Sequence, residues 1–262
     1  MEYINSMRKR EDFLVLGLDR VINWNLTARG SHQFSDEDVA RQKSFVAEEL
    51  KETIQASVDK NRKEIIDGIC DMFVVATYWN FLKVMKEQHG RIKPEDRVSG
   101  HFDDGFKEMV IRDARMDTLD YMKPGSYWSD EEPVELLTYL ENCLNDDRSH
   151  TFVEIVVTLM EILDFNAELA LGRVLDSNDS KMPTVYELTN ALEQGGSQFM
   201  DEPRSVDEMV EFEADNLNRY HAGRYSGITG NINVQLNRVV FKDSNNKIMK
   251  PCTFADPVLS DL

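Results

Sequence analysis

The chain has 262 residues and a formal net charge of -18, with 41% hydrophobic and 30% charged residues. That length and balance suit a globular chain with a sizeable core and exclude a disordered one. The acidic excess argues against a nucleic-acid or anionic-membrane partner, because phosphate-bearing surfaces are bound through Lys and Arg.

In chain order, Met1 to Trp24 reads as a helix, with Phe13, Leu14, Leu16, Leu18, Val21 and Ile22 as its apolar stripe. Charges scattered through it leave no signal-peptide core. Asn25 to Asp36 reads as a loop that ends in the helix-start pattern Ser35-x-x-Asp38. A helix from about Glu37 to Lys60 carries Val46, Leu50 and Ile54 on one stripe and Phe45, Glu49, Glu52 and Ala56 on the next. After a break at Asp59 to Asn61, Lys63 to about Glu87 reads as a helix that is apolar in nearly every direction. No apolar run approaches the roughly 20 residues of a bilayer span, and Asp71 interrupts the best candidate. Cys70, Cys143 and Cys252 are widely spaced and form no CxxC pair, which fits a reduced, cytoplasmic setting.

His89 to Arg148 has a different texture, acidic and punctuated by Pro and Gly, and is read as an insertion or lid packed on a bundle, not an independent domain. Short helices are expected within it at Gly105 to Thr118 and Pro133 to Asn145. Thr151 to Leu175 reads as a second strongly apolar helix, carrying Glu154, Glu161 and Asp164. Val185 to Gly195 and Ser205 to Arg219 read as shorter helices. Alternation at Ile232, Val234 and Leu236 and around Val239 to Phe241, with Asp243 to Lys247 as a turn, predicts a small hairpin. The expected fold is all-α: an antiparallel four-helix-type bundle with a helical and loop insertion and a small C-terminal β-hairpin or extended tail. It is expected to form one domain, with the bundle at 1–88 and 151–182, the insertion at 89–150 and a C-terminal extension at 183–262.

Carboxylates carry the chemistry. Glu49 and Glu52 are three apart, and Glu64, Asp67 and Asp71 fall at i, i+3 and i+7, so each set shares a helix face. A helix apolar all round is buried, so Asp67 and Asp71 are expected in the interior, where crowded carboxylates are costly without a cation. Oxygen ligands without His or Cys select a hard ion such as Mg²⁺ or Mn²⁺. No Glu-x-x-His pair is present on these helices to suggest a di-iron bundle.

The order Glu48-Glu49-x-x-Glu52, a short gap, then Glu64-x-x-Asp67-Gly-x-x-Asp71, preceded by Trp24-Asn25 and Ala28-Arg29-Gly30, resembles the all-α nucleoside triphosphate pyrophosphatase superfamily. That group includes MazG, the dimeric dUTPases and phosphoribosyl-ATP pyrophosphohydrolase. The chain looks most like MazG-like or phosphoribosyl-ATP-pyrophosphohydrolase-like proteins of the phage type. Ser177-Asn178-x-Ser180-Lys181 matches the family's SNxSK element. Lys247-Ile-Met-Lys250-Pro251 looks like its closing GKxxKP segment, with Asn246 in place of Gly. The insertion, and the rather short gap between Glu52 and Glu64, depart from the family pattern.

The resemblance implies Mg²⁺-dependent cleavage (Mn²⁺ as a substitute) between the α and β phosphates of a (d)NTP, releasing a nucleoside monophosphate and pyrophosphate. It implies Glu49, Glu52, Glu64 and Asp67 as metal ligands, with Asp71 an extra or outer ligand. Either Glu48 or Glu49 would serve the attacking water. Asn178, Lys181 and, more weakly, Lys250 would contact the nucleotide. Read without the family, Asn178 and Lys181 also suit an ordinary helix C-terminus, and Trp24 suits a core position as well as a base-stacking one. Glu154, Glu161 and Asp164 are either the polar edge of their helix or a source of one further ligand. A homodimer is expected, as is usual in the family. The competing function is a non-catalytic helical interaction protein derived from the same fold.

Overall fold

The structure is a computed structural model that describes residues 2–29, 34–91, 112–113, 116–117, 133–195, 205–234 and 236–262. Its elements are α1 (Glu2–Arg29), α2 (Asp36–Val58), α3 (Arg62–Arg91), α4 (Pro133–Asn145), α5 (Ser149–Ile162), α6 (Ala167–Ser180), α7 (Val185–Gln194), α8 (Val206–Tyr220), β1 (Thr229–Asn233) and β2 (Arg238–Lys242). The fold is all-α with one small antiparallel hairpin, as expected. It divides into two compact units: Met1–Asn23, His32–Arg173 and Val258–Leu262 form the first, and Trp24–Ser31 and Val174–Pro257 the second.

In the first unit, α2 packs on α3, α3 on α5, α5 on α4 and α4 back on α2, so the four close a ring. The expected insertion therefore supplies one of the four bundle helices. The remainder of the expected helix at Gly105 to Thr118 lies largely outside the described residues. Val46, Leu50, Ile69, Phe73, Trp79, Leu136, Leu140, Phe152 and Val156 fill the ring's interior. α2 starts where Ser35 accepts from Asp38 N and Asp38 accepts from Ser35 N, a capping box that satisfies two otherwise orphaned donors. The α2–α3 link is tight enough that Lys60 adopts φ 54.

α3 is long and apolar enough to cross a membrane over Arg62–Gln88, which corrects the expectation that no such run exists. Its most apolar window is 78% buried inside the protein. It serves as the core helix of the ring.

The apolar stretch from Thr151 to Leu175 is two helices, not one. The chain leaves helical geometry at Leu163, and Asn166 starts α6 by accepting from Leu169 N at 3.0 Å. A short polar N-cap thus overrides a continuous apolar pattern.

In the second unit, β1 and β2 pair antiparallel, with Thr229 opposite Lys242 and Asn233 opposite Arg238. The hairpin link therefore lies between Asn233 and Arg238, with Val234, Leu236 and Asn237 its described residues. Val234 and Leu236, read from sequence as strand residues, are exposed in that link. Asp243 to Lys247 is a separate turn after β2, in which Asp243 Oδ1 accepts from Asn245 N and Lys247 N. Asn246 has φ 62 there, a conformation open to Gly and tolerated by Asn, which accounts for Asn standing where the family pattern has Gly.

β2 alternates between two clusters. Val239 and Phe241 pack with Leu188, Leu192, Val210 and Leu217 of α7 and α8. Val240 faces the other way, onto Ala28 and Met182, with Trp24 and Ile248 alongside. Both α7 and α8 begin with capping boxes, Thr184 with Glu187 and Ser205 with Glu208.

Candidate functional site

The carboxylates lie along the seam between α2 and α3, and two contacts fix its register. Gln42 Nε2 donates to Val75 O at 2.9 Å. Thr53 stands directly against Gly68, where an added Cβ would lie 2.3 Å from Thr53 Oγ1. Between these anchors an antiparallel pair brings Glu49, on the stripe of Gln42, Val46 and Thr53, level with the turn that holds Cys70 and Asp71. Glu64, Gly68, Asp71 and Val75 form the facing stripe of α3. Neither Gln42 nor Thr53 carries a sequence signal that marks it as a positioning residue, since each contact forms only when two helices meet.

Burial differs along the seam. Glu48, Glu49, Asp67 and Asp71 are half-buried, and Glu52 and Glu64 are exposed. The expectation that Asp67 and Asp71 sink into the interior is corrected. Asp67, Asp71 and Val75 occupy a stripe of α3 that reaches solvent, while Ile66, Ile69, Cys70 and Phe73 take the core. Half-burial costs a carboxylate less than full burial, so a cation is less obligatory for folding than the sequence implied. Cys70 reports the local field: burial pushes its thiol well up, and the charges of Asp71 and Asp67 push it further. Glu64 lies 3.6 Å from Lys63 Nζ.

Among the described residues no group of His, Cys, Asp and Glu side chains is gathered closely enough to hold a metal ion. Glu64 and Asp71 are seven residues apart, about 10 Å along the helix, so they could not crowd onto one small ion without long reaches. The donor set nevertheless fits a hard divalent cation in kind: it is carboxylate oxygen only, on two helices held in close contact at Gly68. Glu49, Glu52, Glu64, Asp67 and Asp71 are the acids of this seam that would have to draw together around one.

Glu154, on α5, is half-buried, and burial raises its carboxyl above the ordinary range. It acts on Cys143 of α4, whose thiol is raised by burial and by this charge among others. Glu161 and Asp164 are exposed.

The second unit gathers the remaining sequence elements. Trp24 Nε1 donates to Asn178 O at 2.8 Å. Asn178 is buried, and its Oδ1 accepts from Lys181 Nζ at 2.6 Å. Lys181 Nζ stands 5.8 Å and Lys250 Nζ 4.2 Å from the centre of the Phe254 ring. Ser180 joins the two segments, its carbonyl accepting from Thr253 Oγ1 and its hydroxyl from Ala255 N. Asn178, Lys181 and Lys250 are thus brought together around Phe254. Trp24, Asn25, Ala28 and Arg29, expected in a loop from Asn25 onward, form the last turns of α1 instead, with Arg29 Nε donating to Asn25 Oδ1 at 3.2 Å.

Residues 18–88 match the family model for phosphoribosyl-ATP pyrophosphohydrolase. No curated protein and no solved structure matches the chain. The matched segment spans the end of α1, all of α2 and most of α3, and so contains every carboxylate of the seam. The match supports a nucleotide pyrophosphohydrolase kind of activity.

Proposed function

We propose that this chain, which carries a MazG-like, phosphoribosyl-ATP-pyrophosphohydrolase-type segment through α2 and α3, is a Mg²⁺-dependent pyrophosphohydrolase of (d)NTPs. It cleaves the α–β phosphoanhydride and releases a nucleoside monophosphate and pyrophosphate. The observation that carries this reading is the α2–α3 seam, where five carboxylates from two adjoining helices share a register set by Gln42–Val75 and Thr53–Gly68. Glu49, Glu52, Glu64 and Asp67 serve as the ligands, and Asp71 supports them. A divalent ion, when bound, supplies neutralisation of phosphate charge and a more acidic water. Glu48 or Glu49 orients that water and takes its proton. Both are half-buried, which strengthens a carboxylate's hydrogen bonds over those of a fully solvated one. Asn178, Lys181 and Lys250 contact the nucleotide, as donors to phosphate oxygens. Phosphoryl transfer asks for positioning and electrostatic stabilisation more than for covalent catalysis, which suits such a residue set.

The experiment is a panel of the common NTPs and dNTPs with Mg²⁺, with products separated by chromatography. Monophosphate and pyrophosphate are expected, abolished by EDTA and restored by Mg²⁺ or Mn²⁺. Orthophosphate as first product, or full activity in chelator, would reject the reading, and inertness towards the whole panel would favour a non-catalytic helical interaction protein. The setting proposed is a soluble, cytoplasmic one. The assembly proposed is a homodimer, with an apolar contact because surfaces charged alike repel. Light scattering tests it, since a concentration-independent mass near 30.3 kDa would show a monomer.

A further inference from the structure

Phe254 lies where two segments of the second unit are fastened together. Ser180 O accepts from Thr253 Oγ1 at 3.1 Å and Ser180 Oγ accepts from Ala255 N at 3.0 Å. The residues on either side of Phe254 are therefore held against the residue before Lys181. Phe254 N donates to Pro251 O at 2.8 Å, a turn over which the chain that follows Lys250 doubles back. The ring is half-buried, and two ammonium groups share it: Lys250 Nζ stands 4.2 Å and Lys181 Nζ 5.8 Å from its centre. The two nitrogens cannot lie further apart than those distances together allow. What else holds each lysine differs. Lys181 Nζ also donates to Asn178 Oδ1 at 2.6 Å. Lys250 Nζ has Asp256 Oδ1 3.8 Å away, but both side chains are more than half exposed, and an exposed pair of that kind contributes little. The ring face, with its negative potential, is the firmer partner, and it eases the repulsion between two like charges brought to one place.

We infer that Phe254 is a positioning residue for nucleotide binding: its ring gathers Lys181 and Lys250 so that one phosphate chain meets both ammonium groups. The inference rests on the reading of these lysines as nucleotide contacts, and it adds the residue through which they act together. A lysine gives up rotamer freedom when it grips a ligand, and a ring that already restricts it lowers that cost. Leucine fills much of the same space but has no π face, so the exchange isolates the contact. The bonds at Ser180 use the Thr253 hydroxyl and the Ala255 amide, neither of which depends on the ring.

The test is calorimetric titration of the full chain with inorganic triphosphate in EDTA, at fixed ionic strength. The unaltered protein and Phe254→Tyr should bind alike, and Phe254→Leu should bind at least about fivefold more weakly. In a Lys250→Met background the same leucine exchange should cost less than half that factor, since the closer of the two contacts is gone. Nuclear magnetic resonance reads the contact itself. The ring current should move the Lys250 ε-methylene protons upfield, and Phe254→Leu should remove that shift with the melting temperature nearly unchanged. Equal binding by Phe254→Leu and the unaltered protein would overturn the inference. A loss of the same size with Lys250 replaced would make the ring a packing residue and overturn it too, as would unshifted Lys250 protons or no binding by the unaltered protein. Neither metal nor turnover enters these measurements. A chain that hydrolyses nucleotides but is indifferent to Phe254→Leu loses this inference alone, whereas inertness in the hydrolysis panel with these binding differences intact would reject hydrolysis and leave the role of the ring standing.

Discussion

Thr53 and Gly68 are so close that a Cβ on the glycine would lie 2.3 Å from Thr53 Oγ1 and 3.1 Å from Thr53 Cβ. The hydroxyl cannot simply turn aside without loss, because it donates to Glu49 O at 2.7 Å. Gly68→Ala gains about 1 kcal/mol of helix propensity but meets an overpacking cost of about 1–3 kcal/mol. The expected net is a loss of up to about 2 kcal/mol in urea unfolding. Adding Thr53→Ala should recover much of it. A Gly68→Ala protein as stable as the parent would show that the seam yields freely and does not fix the carboxylates.

Amide substitution separates chemistry from folding. Glu49→Gln, Glu52→Gln, Glu64→Gln and Asp67→Asn should each lower turnover by roughly 100-fold or more, about 2.7 kcal/mol of barrier. Metal-free stability should hold or rise, since each change relieves repulsion between like charges. On the proposed reading Mg²⁺ should raise the stability of the unaltered protein, and that gain should shrink in each variant. Variants that unfold while keeping their specific activity would make these acids structural.

Asp147 sets a pH dependence in the first unit. Its Oδ1 accepts from Lys43 Nζ at 3.0 Å and its Oδ2 from Lys83 Nζ at 2.8 Å. Burial alone would raise this carboxyl, but hydrogen bonds and charge from Lys83 and Lys43 outweigh it and hold the group below its ordinary 3.8. A lowered carboxyl contributes stability that is present above the ordinary value and is lost as pH falls through the folded one. Asp147→Asn should therefore cost about 0.5–1 kcal/mol at pH 7, with the difference fading below about pH 4 and shrinking in high salt. Asn suits the φ of 60 at this position, so backbone strain does not confound the result. A difference unchanged at pH 3 would remove the ion pairs as its cause.

Cys252 should be a poor nucleophile despite its exposure. Burial of the thiol, then the Glu213 charge and a hydrogen bond to that carboxylate, push it up to about 12. Glu213 is itself buried, with Oε1 accepting from Cys252 N at 2.7 Å. Alkylation of the folded protein by iodoacetamide at pH 8 should run at least about tenfold slower than that of a free thiol, because only thiolate reacts. Glu213→Gln should speed it. Equal rates in the two proteins would rule out the carboxylate as the cause.

Much of the first unit was legible because its signals are local. The Ser35-x-x-Asp38 box and the polar break at Asp59 to Asn61 bracket α2 almost to the residue, and the apolar run from Ile65 makes α3 plain. What failed were competitions between signals. Leu163 and Phe165 continued an apolar pattern that concealed the N-cap at Asn166. The turn at Asp243 to Lys247 drew the hairpin away from the link between Asn233 and Arg238, whose apolar residues looked like strand. Half-burial of Asp67 and Asp71 was out of reach, since it depends on which stripe of α3 its neighbours leave uncovered. The carboxylates themselves were readable from spacing, but the Gln42 and Thr53 contacts that align them arise only when two helices meet.

The alternation of β2 has an outcome for which changes the chain tolerates. Val239 and Phe241 belong to one apolar cluster and Val240 to another, so the strand has no indifferent face. Loss of one residue from its interior would reverse every side chain beyond that point, carrying Phe241 and Lys242 to each other's sides. Single substitutions disturb one cluster at a time, whereas a one-residue shift disrupts both and displaces the lysine as well. Sequence drift along this strand should therefore proceed by exchange of side chains, with its length held fixed.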